Sequence, residues 1–171
     1  LLPWLLSLSK DTRLTKSQYN GWHTQFGLII ERRIADIFRA IGYISRLCID
    51  KDPKYEGAAK ALPILQEVIA RLTSDDHPSI RNGLCIGLGY LGEWRPILEN
   101  LGAEEPWMHE AAENVFKHWL EKVPKRTLER EKAAIWIAGR LRDTPDLPPR
   151  VRSTLETIKE RLEIEIGHHV G

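Results

Sequence analysis

Three segments repeat one pattern around a glycine: Ala40-Ile41-Gly42-Tyr43-Ile44, Gly87-Leu88-Gly89-Tyr90-Leu91 and Ile137-Ala138-Gly139-Arg140-Leu141. Gly42, Gly89 and Gly139 follow one another at intervals of 47 and 50 residues. Set in register, Ile37, Leu84 and Ala134 form one apolar column. Phe38, Cys85 and Ile135 form the next, then Ile41, Leu88 and Ala138, then Ile44, Leu91 and Leu141. Apolar positions recurring every three and four residues share one face of an α-helix. A helix that recurs in this way has copies that cannot bury their faces alone, so the copies must stack.

The rest of the chain agrees with helices. A second set of helix starts interleaves with the first: Leu2-Pro3-Trp4-Leu5, Leu62-Pro63-Ile64-Leu65, Pro106-Trp107-Met108 and Leu147-Pro148-Pro149. Proline is tolerated in the first helical turn, where its missing N–H has no partner to lose. Asp75-Asp76-His77-Pro78 supplies capping groups ahead of the middle glycine helix. No stretch alternates apolar and polar residues between turns, so the expected class is all-α. Residues 1–171 read as one domain of about three and a half helical hairpins, or seven principal helices, with a polar insertion at residues 10–23. A composition 42% hydrophobic and 29% charged excludes a disordered tail. The net charge of +1 argues against a dedicated nucleic-acid binder. No apolar run approaches the roughly 18 residues of a membrane span. Cys48 and Cys85 lie in apolar stripes, which suggests a reducing, cytoplasmic setting. The only methionine is Met108, and the first residues lack the features of a secretory leader, so the expectation is a piece of a longer protein. The apolar residues Leu1, Leu2, Trp4, Leu5 and Leu6 are expected to form an open N-terminal face.

The stretch from Leu62-Pro63-Ile64-Leu65 through Asp75-Asp76-His77-Pro78-Ser79-Ile80-Arg81 to Gly87-Leu88-Gly89-Tyr90-Leu91-Gly92 resembles a HEAT repeat. The resemblance implies a HEAT-like α-α superhelix, or α-solenoid. It also implies a structural ladder in which Asp75 in the turn and Arg81 in the second helix bind between repeats. The Arg81 column holds Ile34 in the first repeat and Glu131 in the third, so the ladder is broken there. Helical arrays of this kind also occur behind NTPase modules of the NACHT (STAND) type in signalling proteins. HEAT arrays support unrelated activities, so function must be read from a site.

Chemical motifs are few. Gly87-Leu88-Gly89-Tyr90-Leu91-Gly92 is a literal G-x-G-x-x-G, but a dinucleotide site needs a strand before it and a helix opening on it. Here a helical stripe precedes it and Pro96 follows, so Gly83, Gly87 and Gly89 read as a thinned helix face for close packing. His109 and Glu113 share a helix face without a third ligand, and they read as an exposed pair rather than a metal site. No activated nucleophile, carboxylate pair or phosphate loop is present, so catalytic, cofactor-binding and metal residues are all expected to be none, and the chain is not expected to be an enzyme.

A surface remains. The columns beside the apolar ones contain Arg39 and Trp136, then Tyr43, Tyr90 and Arg140, then Arg46. In a HEAT-like stack these would line the concave side, and Tyr, Trp and Arg are frequent interface anchors. Two readings stay open: contact with a partner, or filling of the seams between repeats. Trp22, Trp94 and Trp107 are further candidates. The expected role is a non-catalytic protein-recognition, scaffold or regulatory module that binds a protein partner or a neighbouring domain. The alternatives are a nucleic-acid-binding HEAT-like domain and a HEAT-like lyase. The basic clusters Lys122, Lys125, Arg126, Arg130 and Arg140, Arg142, Arg150, Arg152 motivate the first, although acidic residues interrupt both.

Overall fold

The structure, a computed structural model, describes residues 2–9, 25–72, 78–102, 107–122 and 128–167. Regular structure among these residues is entirely helical. The helices are α1 (Leu2–Ser9), α2 (Gln25–Lys51), α3 (Glu56–Ala59), α4 (Ala61–Arg71), α5 (Pro78–Tyr90), α6 (Trp94–Glu99), α7 (Trp107–Lys122), α8 (Leu128–Asp143) and α9 (Pro149–Gly167). A 3-10 turn covers Asn100–Gly102. Pro3, Pro63, Pro78, Pro96 and Pro149 all stand in first turns, where the absent N–H removes no helical hydrogen bond. The expected starts near residues 2, 62, 106 and 147 correspond to α1, α4, α7 and α9, and the three glycine helices to α2, α5 and α8. The insertion at residues 10–23, with Trp22, lies outside the described residues. Contacts divide the chain into two units, Leu1–Ile97 and Leu98–Gly171.

In the first unit α2 and α5 make the most extensive contact, α5 also packs on α4, and α1 packs on α2 and α4. The core joins Leu5, Leu6, Ile34, Phe38, Ile41, Leu65, Val68, Ile80, Leu84 and Leu88. Leu5 and Leu6 are therefore not part of an open face. The contact of α1 with α2 and α4 removes both from water.

Glycines explain how α2 and α5 come so near. A methyl placed on Gly42 would strike the backbone of Gly87, including its carbonyl carbon at 2.6 Å. One on Gly83 would meet the Ala35 Cα at 2.7 Å, and one on Gly87 would meet the Phe38 backbone. Ala35, Phe38 and Gly42 meet Gly83 and Gly87 in ascending order, so the two helices run in the same direction. Gly83 and Gly87 thus thin the helix as their spacing suggests, and Gly42 is the complementary recess on α2.

In the second unit α9 approaches both α7 and α8 closely. Val151, Leu155, Ile158 and Leu162 form its buried stripe, with Met108, Ala112, Val115 and Phe116 buried on α7. On α8 the buried positions are Arg130, Ala133, Ala134 and Ile137. Ile135, expected in a core column with Phe38 and Cys85, is instead 72% exposed. Ala138 and Leu141 are only partly buried. The physical reason is local: Ala133-Ala134-Ile135-Trp136-Ile137-Ala138 is apolar all round, so periodicity cannot choose a face. Nor does Gly139 repeat the role of Gly42, because a methyl there would meet nothing closer than Asp143 Oδ2 at 3.9 Å.

Candidate interaction surface

The α2–α5 seam ends in an aromatic pair. Tyr43 and Tyr90 stand edge to face with ring centroids 5.2 Å apart and an interplanar angle of 64°. This geometry sets the positive edge of one ring against the negative face of the other. Tyr43 is 44% exposed, Leu47 one turn further along α2 is also exposed, and Tyr90 is half-buried. Burial pushes the Tyr90 hydroxyl above the ordinary phenol value, nearby Arg39 draws it back, and Tyr43 adds to the rise. The Tyr90 hydroxyl is therefore a neutral donor near neutrality. Arg39 reaches Asp36 at 3.4 Å on the exposed side of α2. Arg46 is held more firmly, with its Nη2 donating to Asp50 at 2.7 Å one turn on.

Of the six candidate contact residues, the structure brings Arg39, Tyr43 and Tyr90 together and places Arg46 along the same helix. Trp136 and Arg140 meet in the second unit, where the guanidinium carbon lies 5.5 Å from the Trp136 ring centroid. That distance is within the range of a cation–π contact. Of the proposed ladder, Arg81 is partly buried on α5, while Asp75 lies outside the described residues. Trp94 is partly buried, and nothing is described of the Trp107 side chain.

The glycine motif ends a helix. Gly92 has φ +99° just beyond α5, the Glu93 N–H donates to the Leu88 carbonyl at 3.0 Å, and the Gly92 N–H donates to the Gly89 carbonyl at 3.1 Å. This is the Schellman arrangement, in which a left-handed residue satisfies the last carbonyls. The amides that would cradle a phosphate lie at a helix's start, whereas these glycines lie at its finish.

Among the described residues, Arg130, Arg142 and Arg152 of the basic clusters are buried or paired within the chain, while Lys125 and Arg126 lie outside the described residues. Arg130 is 1% exposed, so it belongs to the core of the second unit and not to a charged surface. Arg142 donates to Asp143 at 2.7 and 3.2 Å, which raises the guanidinium's pKa and lowers that of the carboxyl. Arg152 donates to the Pro145 carbonyl at 3.0 Å in the turn before α9. On α9, Lys159 pairs with Glu163 one turn on at 2.8 Å, and Arg161 faces Glu113 of α7 at 3.9 Å.

His109 departs most from its sequence reading. It is 7% exposed rather than an exposed member of a carboxylate pair, and its Nδ1 lies 2.9 Å from Thr154 Oγ1 on α9. The two residues are 45 positions apart, and no local pattern marks them as partners. Among the described residues no cluster of His, Cys, Asp and Glu could hold a metal ion. None of the described helices is long and apolar enough to cross a membrane. Comparison with protein-family models, curated proteins and solved structures finds no match to this chain.

Proposed function

We propose that the chain is a non-catalytic protein-recognition module of HEAT-like build, and that the α2–α5 face bearing Arg39, Tyr43 and Tyr90 is its docking surface. The observation that carries this reading is the half-exposed Tyr43 ring, held edge-on by Tyr90 beside an exposed Leu47. Tyrosine offers a large contact area with few torsions to freeze, and a ring already fixed by a neighbour loses little further freedom on binding. Arg39 adds a charged hydrogen-bond donor at the margin. The HEAT-like assignment draws support from the parallel course of α2 and α5 and from the packing of α4 on α5, as expected of second helices in successive hairpins.

The test begins with a photo-crosslinking residue at position 43, and with Lys132 on α8 as a control position, to capture partners in cells. Affinity for a purified captured protein is then compared between the native chain and Tyr43→Ala with Arg39→Ala, with helicity checked by circular dichroism. Loss of roughly tenfold or more is expected for residues acting as an anchor. Unchanged affinity overturns the assignment of this face. Tight binding of short duplexes with a steep salt dependence would favour the nucleic-acid reading instead. Turnover by the purified chain would overturn the non-catalytic one.

A further inference from the structure

The second unit hides a titratable group in a helix seam that the aromatic face does not use. His109 sits in the first turn of α7, 7% exposed, and shares a hydrogen bond with Thr154, itself 4% exposed, on α9. Met108 and Ala112 are buried beside it on α7, and Val151 and Leu155 flank Thr154 on α9. A neutral ring can accept the threonine hydroxyl's hydrogen at Nδ1. A protonated ring carries donors on both nitrogens, so the hydroxyl must reverse and a full charge must be accommodated in the apolar seam.

The charged groups around the seam set the balance. Arg150, one turn before Thr154 on α9, repels a positive imidazole, and Glu113, one turn beyond His109 on α7, attracts it. Arg161 of α9 stands 3.9 Å from Glu113 and competes for its carboxylate. The 3-10 turn at Asn100–Gly102, which also packs on α7, carries no titratable side chain. Burial first and Arg150 second hold His109 below the ordinary histidine value, against the pull of Glu113.

We propose that the α7–α9 seam is a proton-operated latch, in which protonation of His109 frees the N-terminal half of α9 from α7. Release would bare Val151 and Leu155 on one side and Met108 and Ala112 on the other, while α8 retains its separate contact with α9.

The experiment is amide hydrogen exchange on the whole chain, expressed as protection factors, at about pH 7.5 and about pH 5, with the His109 ring titrated by NMR. Protection of residues 150–158 is expected to fall roughly tenfold or more on acidification, while that of α5 holds. His109→Gln keeps a polar side chain but cannot titrate, so its α9 protection should not change with pH. Arg150→Gln alters an exposed residue and should move the opening to lower pH by easing the charge on His109. The proposal is overturned if α9 protection in the native chain does not respond to pH. It is equally overturned if His109→Gln responds as the native chain does. Should His109→Gln fail to fold, an unmoved midpoint in Arg150→Gln overturns it.

Discussion

Gly42→Ala is the most informative single change in this chain, because helix propensity and packing predict opposite signs for it. Alanine in a helix interior is favoured over glycine by about 1 kcal/mol. At Gly42, however, the added methyl would lie against the oxygen, Cα and carbonyl carbon of Gly87, all backbone atoms. A flexible side chain could swing aside; the axis of a neighbouring helix cannot. Relief requires α2 and α5 to separate along a seam that also holds Phe38, Ile41, Leu84 and Leu88, all buried. Overpacking of a dense core costs about 1–3 kcal/mol, and the upper end applies where only backbone can yield. Subtracting the propensity gain leaves a net loss of about 2 kcal/mol. For a chain of this size that is a fall in Tm of about 4–8 °C. Gly139→Ala is the matched control: the same glycine column, yet its methyl meets only side-chain atoms near 4 Å. There the propensity term stands alone, and stabilisation by about 0.5–1 kcal/mol is expected. Urea unfolding followed at 222 nm measures both, with the two units fitted as separate transitions where they do not coincide. If Gly42→Ala is as stable as Gly139→Ala, the helices are not in backbone contact and the account of the seam is wrong.

Two further outcomes separate the structure from the periodicity. Ile135→Lys should alter stability by no more than about 0.5 kcal/mol, as exposed substitutions do, whereas Ile137→Ala should cost about 2–5 kcal/mol; equal effects in denaturant titrations would restore the column that the exposure of Ile135 removes. Thr154→Val should cost about 1–3 kcal/mol by leaving the His109 ring nitrogen buried without its hydroxyl partner. The pH dependence has a definite sign. Because the folded pKa of His109 lies below the ordinary 6.5 of an unfolded chain, the unfolded state binds the proton first as pH falls. The contribution is therefore complete above pH 6.5 and is lost progressively below it; a thermal midpoint of the second unit that rises on acidification through that range would contradict this.

The amino-acid sequence alone determined that the chain is helical and where its main helices lie. Those properties rest on interactions within a few residues: proline in first turns, apolar positions three and four apart, and breakers between them. It also marked the close seam, since Gly83 and Gly87 at four-residue spacing leave a recess on one helix face, and it set Tyr43 and Tyr90 in one column. Only tertiary structure decided which side of α8 is inside. Its middle is apolar all round, so the choice falls to tertiary packing, in which α9 lies against α8, Ala133 and Ile137 are buried and Ile135 is left in water. The same packing draws Arg130 inward, where its aliphatic stem can fill space that a pattern of charges would assign to solvent. It also joins His109 to Thr154. A hydrogen bond between residues 45 positions apart has no local signature, because it depends on two helices meeting at one height and one angle.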